Sequence, residues 1–301
     1  MIAKDLKSLL SEKSDIVLID LLPPDHFEKV HIPSAKNACV FFVSFLDDLA
    51  AAVQDIQTSV VVYGSSKRSQ DVAIALEKLD RAGYQQVSFL KGGLEAWRGA
   101  GYDIEGEETN QLDDPQTIVV LSDGHYTVDP EASQMEWAGR NPNSRHIGTV
   151  NIAKGTIDIK DGTVTGKVEI DMNTIHSINL EGDELQPVLE DHLRSDDFFF
   201  TKMFPKAVFT FKKVNRIEPG WLTAPSYHVN GELTLRGVSA DLEFDATVAH
   251  LEDNSLALEA HFDIDRTRWD VIYGSTRFFE HLGMHKVFDL LSFQIRMVVV
   301  R

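Results

Sequence analysis

The sequence predicts two domains of different class: an α/β unit on a parallel sheet, then an antiparallel β-sandwich or barrel with a short helical segment. Three observations predict it. The 301 residues exceed what one hydrophobic core usually organises. Up to about Tyr102, short β-branched runs alternate with stretches of helical period. In the second half the apolar residues instead recur at every second position, through strand after strand.

In chain order, Ile16-Val-Leu-Ile19 and Ser59-Val-Val-Val-Tyr63 have the length and β-branching of parallel strands buried on both faces. Val72, Leu76 and Leu79 lie on one side of a helix beginning at Asp71. Residues 103–115 are acidic, contain Gly and Pro and lack an apolar period, so they read as a linker. The expected division is 1–104 for the first domain, 105–122 for the linker and 123–301 for the second domain. Period-two strands then follow at Val164–Ile170, Ala207–Phe211, Tyr227–Leu235, Leu242–Val248, Leu256–Ile264 and Leu291–Val299. One stretch of that half, Gln186–Phe199, reads as helical. Long strands with one apolar face and short polar turns predict a sandwich or a barrel.

Composition narrows the function classes. At 43% hydrophobic and 25% charged residues, the chain has a globular make-up. A formal charge of −18 disfavours broad binding to nucleic acid or to anionic lipid surfaces. The single cysteine, Cys39, excludes an internal disulfide and any multi-cysteine metal site. The first residues carry charges every few positions and no apolar core of a signal peptide, and no apolar stretch is long enough for a membrane span. A cytoplasmic protein is therefore expected. His281 and His285 are four apart, but no metal-ligand spacing accompanies them, so no metal and no cofactor are expected.

His31-Ile-Pro-Ser-Ala35, Asp20 at a strand end, and Leu90-Lys-Gly-Gly-Leu-Glu-Ala-Trp97 followed by Gly101-Tyr102 resemble the rhodanese domain. The resemblance implies sulfur carriage on a cysteine in the loop after the central strand, where backbone N–H groups stabilise an anion. In this chain the loop is Tyr63-Gly64-Ser65-Ser66-Lys67-Arg68-Ser69. Alignment on the strand puts Gly64 at the cysteine position, and alignment on Arg68-Ser69 puts Tyr63 there. Neither carries a thiol. Ser65 and Ser66 lack an activating base nearby. Leu22 stands where the family has a basic residue, and Ser34 where it has a glycine. Gly64, Ser65, Ser66, Lys67, Arg68 and Ser69 remain candidates for an anion cradle, the alternative being a plain strand–helix turn.

Tyr126-Thr-Val-Asp-Pro130 with Ser133, then Asp191–Phe199 with Phe204-Pro205 and Phe209-Thr-Phe211, and Val229–Val238 resemble the YceI-like family. That resemblance implies a lipocalin-like barrel binding polyisoprenoid or other long-chain lipid. The family's early Phe-x-x-x-His pattern is altered here to Trp137-Ala-Gly-Arg140. A barrel of about eight strands is wide enough to be filled by side chains or to hold one elongated ligand. Candidate lining residues are Trp137, Phe209, Phe211, Tyr227, Leu233, Leu235, Phe244, Phe262 and Phe293; the alternative is that they fill a dry core. Arg140, His192 and Arg194 are candidates for a polar or phosphate head group, the alternative being pairing with neighbouring carboxylates.

Together these readings predict a binding protein for a long-chain lipid or isoprenoid, with a degenerate rhodanese-like domain for recognition or scaffolding. The alternatives are a sulfurtransferase-related enzyme using the Tyr63–Ser69 loop with Cys39 or a partner's thiol, and a purely structural module. The charge and the exposed barrel strands permit a homodimer.

Overall fold

The computed structural model describes residues 1–12, 15–107, 118–251 and 255–301. The chain divides into two compact units, Met1–Asp113 and Asp114–Arg301. Most of the predicted linker, residues 108–117, lies outside the described residues.

The first unit holds α1 (Ala3–Ser11), β1 (Ile16–Asp20), α2 (Pro24–Lys29), β2 (Lys36–Asn37), α3 (Phe45–Ala52), β3 (Ser59–Tyr63), α4 (Asp71–Arg81), β4 (Val87–Phe89) and α5 (Gly93–Gly99). Its parallel sheet has the order β2-β1-β3-β4. Alternate residues of each central strand enter different cores. Leu18, Val61 and Tyr63 pack with Leu6 of α1 and Leu94 and Trp97 of α5, while Ile19, Val60 and Val62 pack with Leu49 of α3 and Leu79 of α4. Both faces are covered, which is why these strands read as unbroken apolar runs.

The second unit holds β5 (Gly124–Arg140), β6 (Arg145–Lys160), β7 (Thr163–Ser177), α6 (Leu185–Arg194), β8 (Lys206–Arg216), β9 (Tyr227–Leu235), β10 (Val238–His250), β11 (Leu256–Asp265) and β12 (Leu290–Val300). Each strand pairs antiparallel with the next, and β12 returns to β5 to close an eight-stranded barrel. Closure leaves no free sheet edge. The seam depends on Asp129–Ser133. The Asp129 carboxylate accepts from the N–H groups of Glu131 and Ala132, bulging β5. The Ser133 hydroxyl then accepts from Val298 N–H of β12 at 3.0 Å, replacing a ladder carbonyl where the register shifts.

The β9–β10 connection is a two-residue hairpin, Arg236-Gly237, with φ of 51° and 76°. Positive φ at both positions matches the twist of the flanking strands. The helix expected over Gln186–Phe199 ends earlier, at Arg194. There the chain turns back, with Phe199 N–H donating to Leu193 O and Phe200 N–H to Ser195 O. Arg236 fixes this turn by donating to the carbonyls of Asp196 and Phe198.

Candidate functional site

The barrel interior is hollow. A cavity of about 320 Å³ runs inward from the end where α6, the β5–β6 turn and the β11–β12 connection meet. Protein interiors hold few voids larger than one water, and a dry cavity of about 150 Å³ already admits benzene. This volume is therefore a compartment, not a packing defect. Trp137, Phe244, Phe262 and Phe293 keep accessible surface although they line it, because their inward faces meet empty space.

The lining is organised by strand register. Phe262 of β11 pairs with Phe293 of β12, which pairs with Trp137 of β5, which pairs with Gly148 of β6. A Cβ at Gly148 would stand 2.5 Å from the Trp137 ring, so only glycine lets the indole lie across β6. Phe244 stacks on Phe262 at 4.5 Å, and Phe209 stands between Phe211 and Phe244 at 5.1 and 5.6 Å. Gly231 opposite has no side chain where a Cβ would fall 2.2 Å from Phe209 Cζ. The result is an aromatic band around the interior.

Of the expected lining residues, Trp137, Phe209, Phe211, Leu233, Leu235, Phe244, Phe262 and Phe293 border this cavity. Tyr227 does not. It borders a smaller pocket of about 50 Å³ deeper in the barrel, which shares Phe211, Leu258 and Met297 with the main one. Its hydroxyl donates to Val119 O at 2.6 Å, which ties the entering chain under the far end of the barrel.

At the mouth, Arg140 and His192 border the cavity, and Arg194 does not. The Arg194 guanidinium is held by Ile175 O at 2.5 Å and by Glu190 and Asp191 at 3.2 and 3.6 Å. Burial alone would raise the Glu190 carboxyl. Hydrogen bonds from Ser177 N–H, Gln186 and Arg194 outweigh burial and hold it below its ordinary range. Arg194 therefore anchors α6 to β7, the role its acidic neighbours allowed for. Sequence reasoning missed Asn141, His146, Tyr273, Met284, His285 and Lys286, which also line the mouth. All but His146, which stands second in β6, come from connections with no period to follow. His281 and His285 share no helix face: His281 has φ of 57°, and His285 ends a single 3-10 turn, with its Nδ1 3.1 Å from the Tyr273 hydroxyl.

In the first unit, a carboxylate stands at the start of the loop expected to cradle an anion. The Asp71 carboxylate, on a residue 2% exposed, occupies the space beside Gly64 and accepts from Ser65 N–H at 2.9 Å and from the Ser65 hydroxyl at 3.3 Å. Contrary to the sequence expectation, a carboxylate base therefore does stand beside Ser65. A Cβ on Gly64 would lie 2.1 Å from Asp71 Cγ. The other side of the loop is clamped as well: Leu94 N–H and Glu95 N–H of α5 donate to Gly64 O and Ser65 O, both at 2.9 Å. Gly93 makes that approach possible, since its own Cβ would fall 2.2 Å from Gly64 O. Lys67 and Arg68 point into solvent, and Ser66 and Ser69 bond within the loop itself. Tyr63, wholly buried, accepts from Ile32 N–H through its hydroxyl, so it locks the His31-Ile-Pro turn to β3. Beneath the loop, burial raises the Asp20 carboxyl from 3.8 to about 6, against the opposing pull of Tyr63, Leu22 N–H and His31. Cys39 is buried, 1% exposed.

A closed antiparallel barrel with a large interior cavity open at one end, joined to an α/β unit whose nucleophile loop carries no thiol, defines a two-domain protein of known parts. A family model for the YceI-like domain matches residues 126–299, and one for the rhodanese-like domain matches residues 2–100. The chain thus belongs to the YceI-like family and carries a rhodanese-like domain ahead of the barrel. The Arabidopsis thaliana adenylyltransferase and sulfurtransferase MOCS3 is 27% identical over 105 residues, which are 32% of this chain and 23% of that protein. The chain therefore spans about a quarter of that relative's length. Among solved structures, Burkholderia cenocepacia BcnA is 20% identical with a TM-score of 0.45, covering 57% of this chain and 99% of that one. A polyisoprenoid binding domain from Saccharophagus degradans, implicated in plant cell wall breakdown, is 14% identical with a TM-score of 0.42, covering 58% and 97%. Among the described residues, no helix is long and apolar enough to cross a membrane.

Proposed function

We propose that the barrel is a carrier that holds one long apolar molecule, an isoprenoid or another lipid chain, and that the rhodanese-like domain serves recognition or scaffolding without sulfur transfer. The observation that supports the carrier reading is the cavity of about 320 Å³, walled by aromatic and aliphatic side chains from all eight strands and open at one end. Apolar burial contributes roughly 0.8 kcal/mol per methylene, so a chain threaded along this wall gains affinity with its length. For the first domain, the support is that Asp71 occupies the place where a cysteine at position 64 would need to stand.

The test is uptake of an environment-sensitive apolar fluorophore by the full chain, compared with Leu258→Trp. Leu258 borders both pockets, so an indole there fills the space between them. The carrier reading expects saturable one-to-one uptake in the parent chain and loss of it in a variant that unfolds at an unchanged temperature. Equal uptake by both proteins would place the probe outside the barrel and refute the reading.

A further inference from the structure

The mouth of the cavity has a sign. Two cationic side chains, Arg140 and Lys286, and three histidines, His146, His192 and His285, border the cavity, and its lining contains no Asp or Glu. The chain has 47 Asp and Glu against 29 Lys and Arg, so a rim with Arg140 and Lys286 and no acid is biased opposite to the molecule as a whole. The five come from three separate segments that the fold brings to one rim: β5 and β6, α6, and the β11–β12 connection. Phe288 N–H of the connection donates to Arg140 O at the end of β5, and within the connection Val287 N–H donates to Gly274 O, both at 2.9 Å.

The arginine at this rim is only lightly used. Arg140 Nη1 donates to the Ser292 hydroxyl at 2.9 Å, and that hydroxyl is turned toward Asp263. Among the described residues neither Arg140 nor Lys286 has a carboxylate partner. Asp263 reaches the guanidinium only through the Ser292 hydroxyl, so a half-buried Arg140 gains from a direct anionic partner. The guanidinium fork also suits two oxygens of one carboxylate or phosphate. Two further rim imidazoles are held in place by neighbours. His192 sits against the Tyr273 ring at 4.8 Å and is oriented from outside the cavity by Asp197 at 3.2 Å. The Tyr273 hydroxyl meets His285 Nδ1 at 3.1 Å.

We propose that the ligand is an amphiphile with an anionic head, a carboxylate or a phosphate monoester, seated at the rim between Arg140, Lys286 and the three histidines, with its tail along the aromatic band. This rests on the carrier reading and adds to it the charge of the head group. Arg194, tied to Glu190, takes no part.

The test uses the full chain and probes that share one tail and differ in the head: hexadecanol, palmitate and hexadecyl phosphate, with farnesol and farnesyl phosphate as an isoprenoid pair. Hydrogen bonds to charged groups in a sheltered site predict that the phosphate binds roughly tenfold or more tightly than its alcohol. Arg140→Met/Lys286→Met should remove that difference. Lys286→Met alone, altering an exposed side chain, should narrow it. Palmitate binding like hexadecyl phosphate shows that charge is read; palmitate binding like hexadecanol shows that the phosphate's extra oxygens are read. Alcohol and phosphate binding equally well would overturn the head-group assignment and leave the carrier standing, as would a difference that survives in the double variant. Failure of every probe to bind would overturn both.

Discussion

Gly64→Ala tests the account of the rhodanese-like domain at its tightest point. The added Cβ would lie 2.1 Å from both Cγ and Oδ1 of Asp71, inside any permissible contact. Gly64 does not have a positive φ, so the penalty is steric and not conformational. Relief requires moving the Asp71 carboxylate, which strips Ser65 N–H and its hydroxyl of their acceptor. Overpacking of a tight interior costs about 1–3 kcal/mol, and an orphaned buried donor costs about 1–3 kcal/mol. A loss of about 2–6 kcal/mol is expected. It should be read from amide hydrogen exchange of β3 and α4 peptides, which isolates this unit from the barrel. Asp71→Ala removes the obstructing group, so in Gly64→Ala/Asp71→Ala the deficits should fall short of their sum by about 0.5–3 kcal/mol. A Gly64→Ala protein within about 0.5 kcal/mol of the parent, or strictly additive deficits, would refute the reasoning. Gly64→Cys meets the same carboxylate, so a thiol restored there alone is expected to stay inactive in thiosulfate-to-cyanide transfer.

Asp20 makes the stability of the same unit depend on pH. Its folded value of about 6 lies above its ordinary 3.8, so between these values the folded state binds more protons and stability falls as pH rises. Asp20→Asn should flatten that slope in denaturation measured across the window and stabilise the unit at neutral pH; an unchanged slope would contradict the burial argument. At the barrel mouth, Arg266 is wholly buried and donates to Phe288 O, Val271 O and Val287 O, with Asp289 at 3.7 Å. Arg266→Met should cost about 3–5 kcal/mol in thermal or urea unfolding and expose residues 271–289 to proteolysis; a protein that resists both would show that the connection is held by other contacts.

The architecture was legible wherever one period dominated. The strands from Val164 onward alternate cleanly because one face is buried and the other wet, and the structure places β7 through β12 on them. β5 and β6 were not legible as strands. Asp129, Pro130 and Ser133 break the alternation to make the seam bulge, and Gly148 and Gly155 interrupt β6 where a side chain would strike Trp137 or Val128. Periodicity also selected inward-facing aromatics well, since strand register alone decides which way they face. It could not see depth along the barrel, so Tyr227 was grouped with residues nearer the mouth. The rim was the least visible part, because Tyr273, His285 and Lys286 lie in a connection whose course is set by buried Arg266 and not by any local pattern. The loop at Gly64 shows its N–H groups, Lys67 and Arg68 in the sequence, but not Asp71, which seven residues later reaches back to accept from Ser65.

The central claim is that the barrel carries a long apolar molecule. The most direct measurement is mass spectrometry on the purified full chain, with the intact protein observed under native conditions and its organic-solvent extract analysed beside it. The account predicts a mass above that of the polypeptide, a matching lipid or isoprenoid in the extract, and return of the bound mass when the stripped protein is offered that molecule. A bare polypeptide mass that stays bare after incubation with long-chain lipids and isoprenoids, alcohols and anions alike, would contradict it.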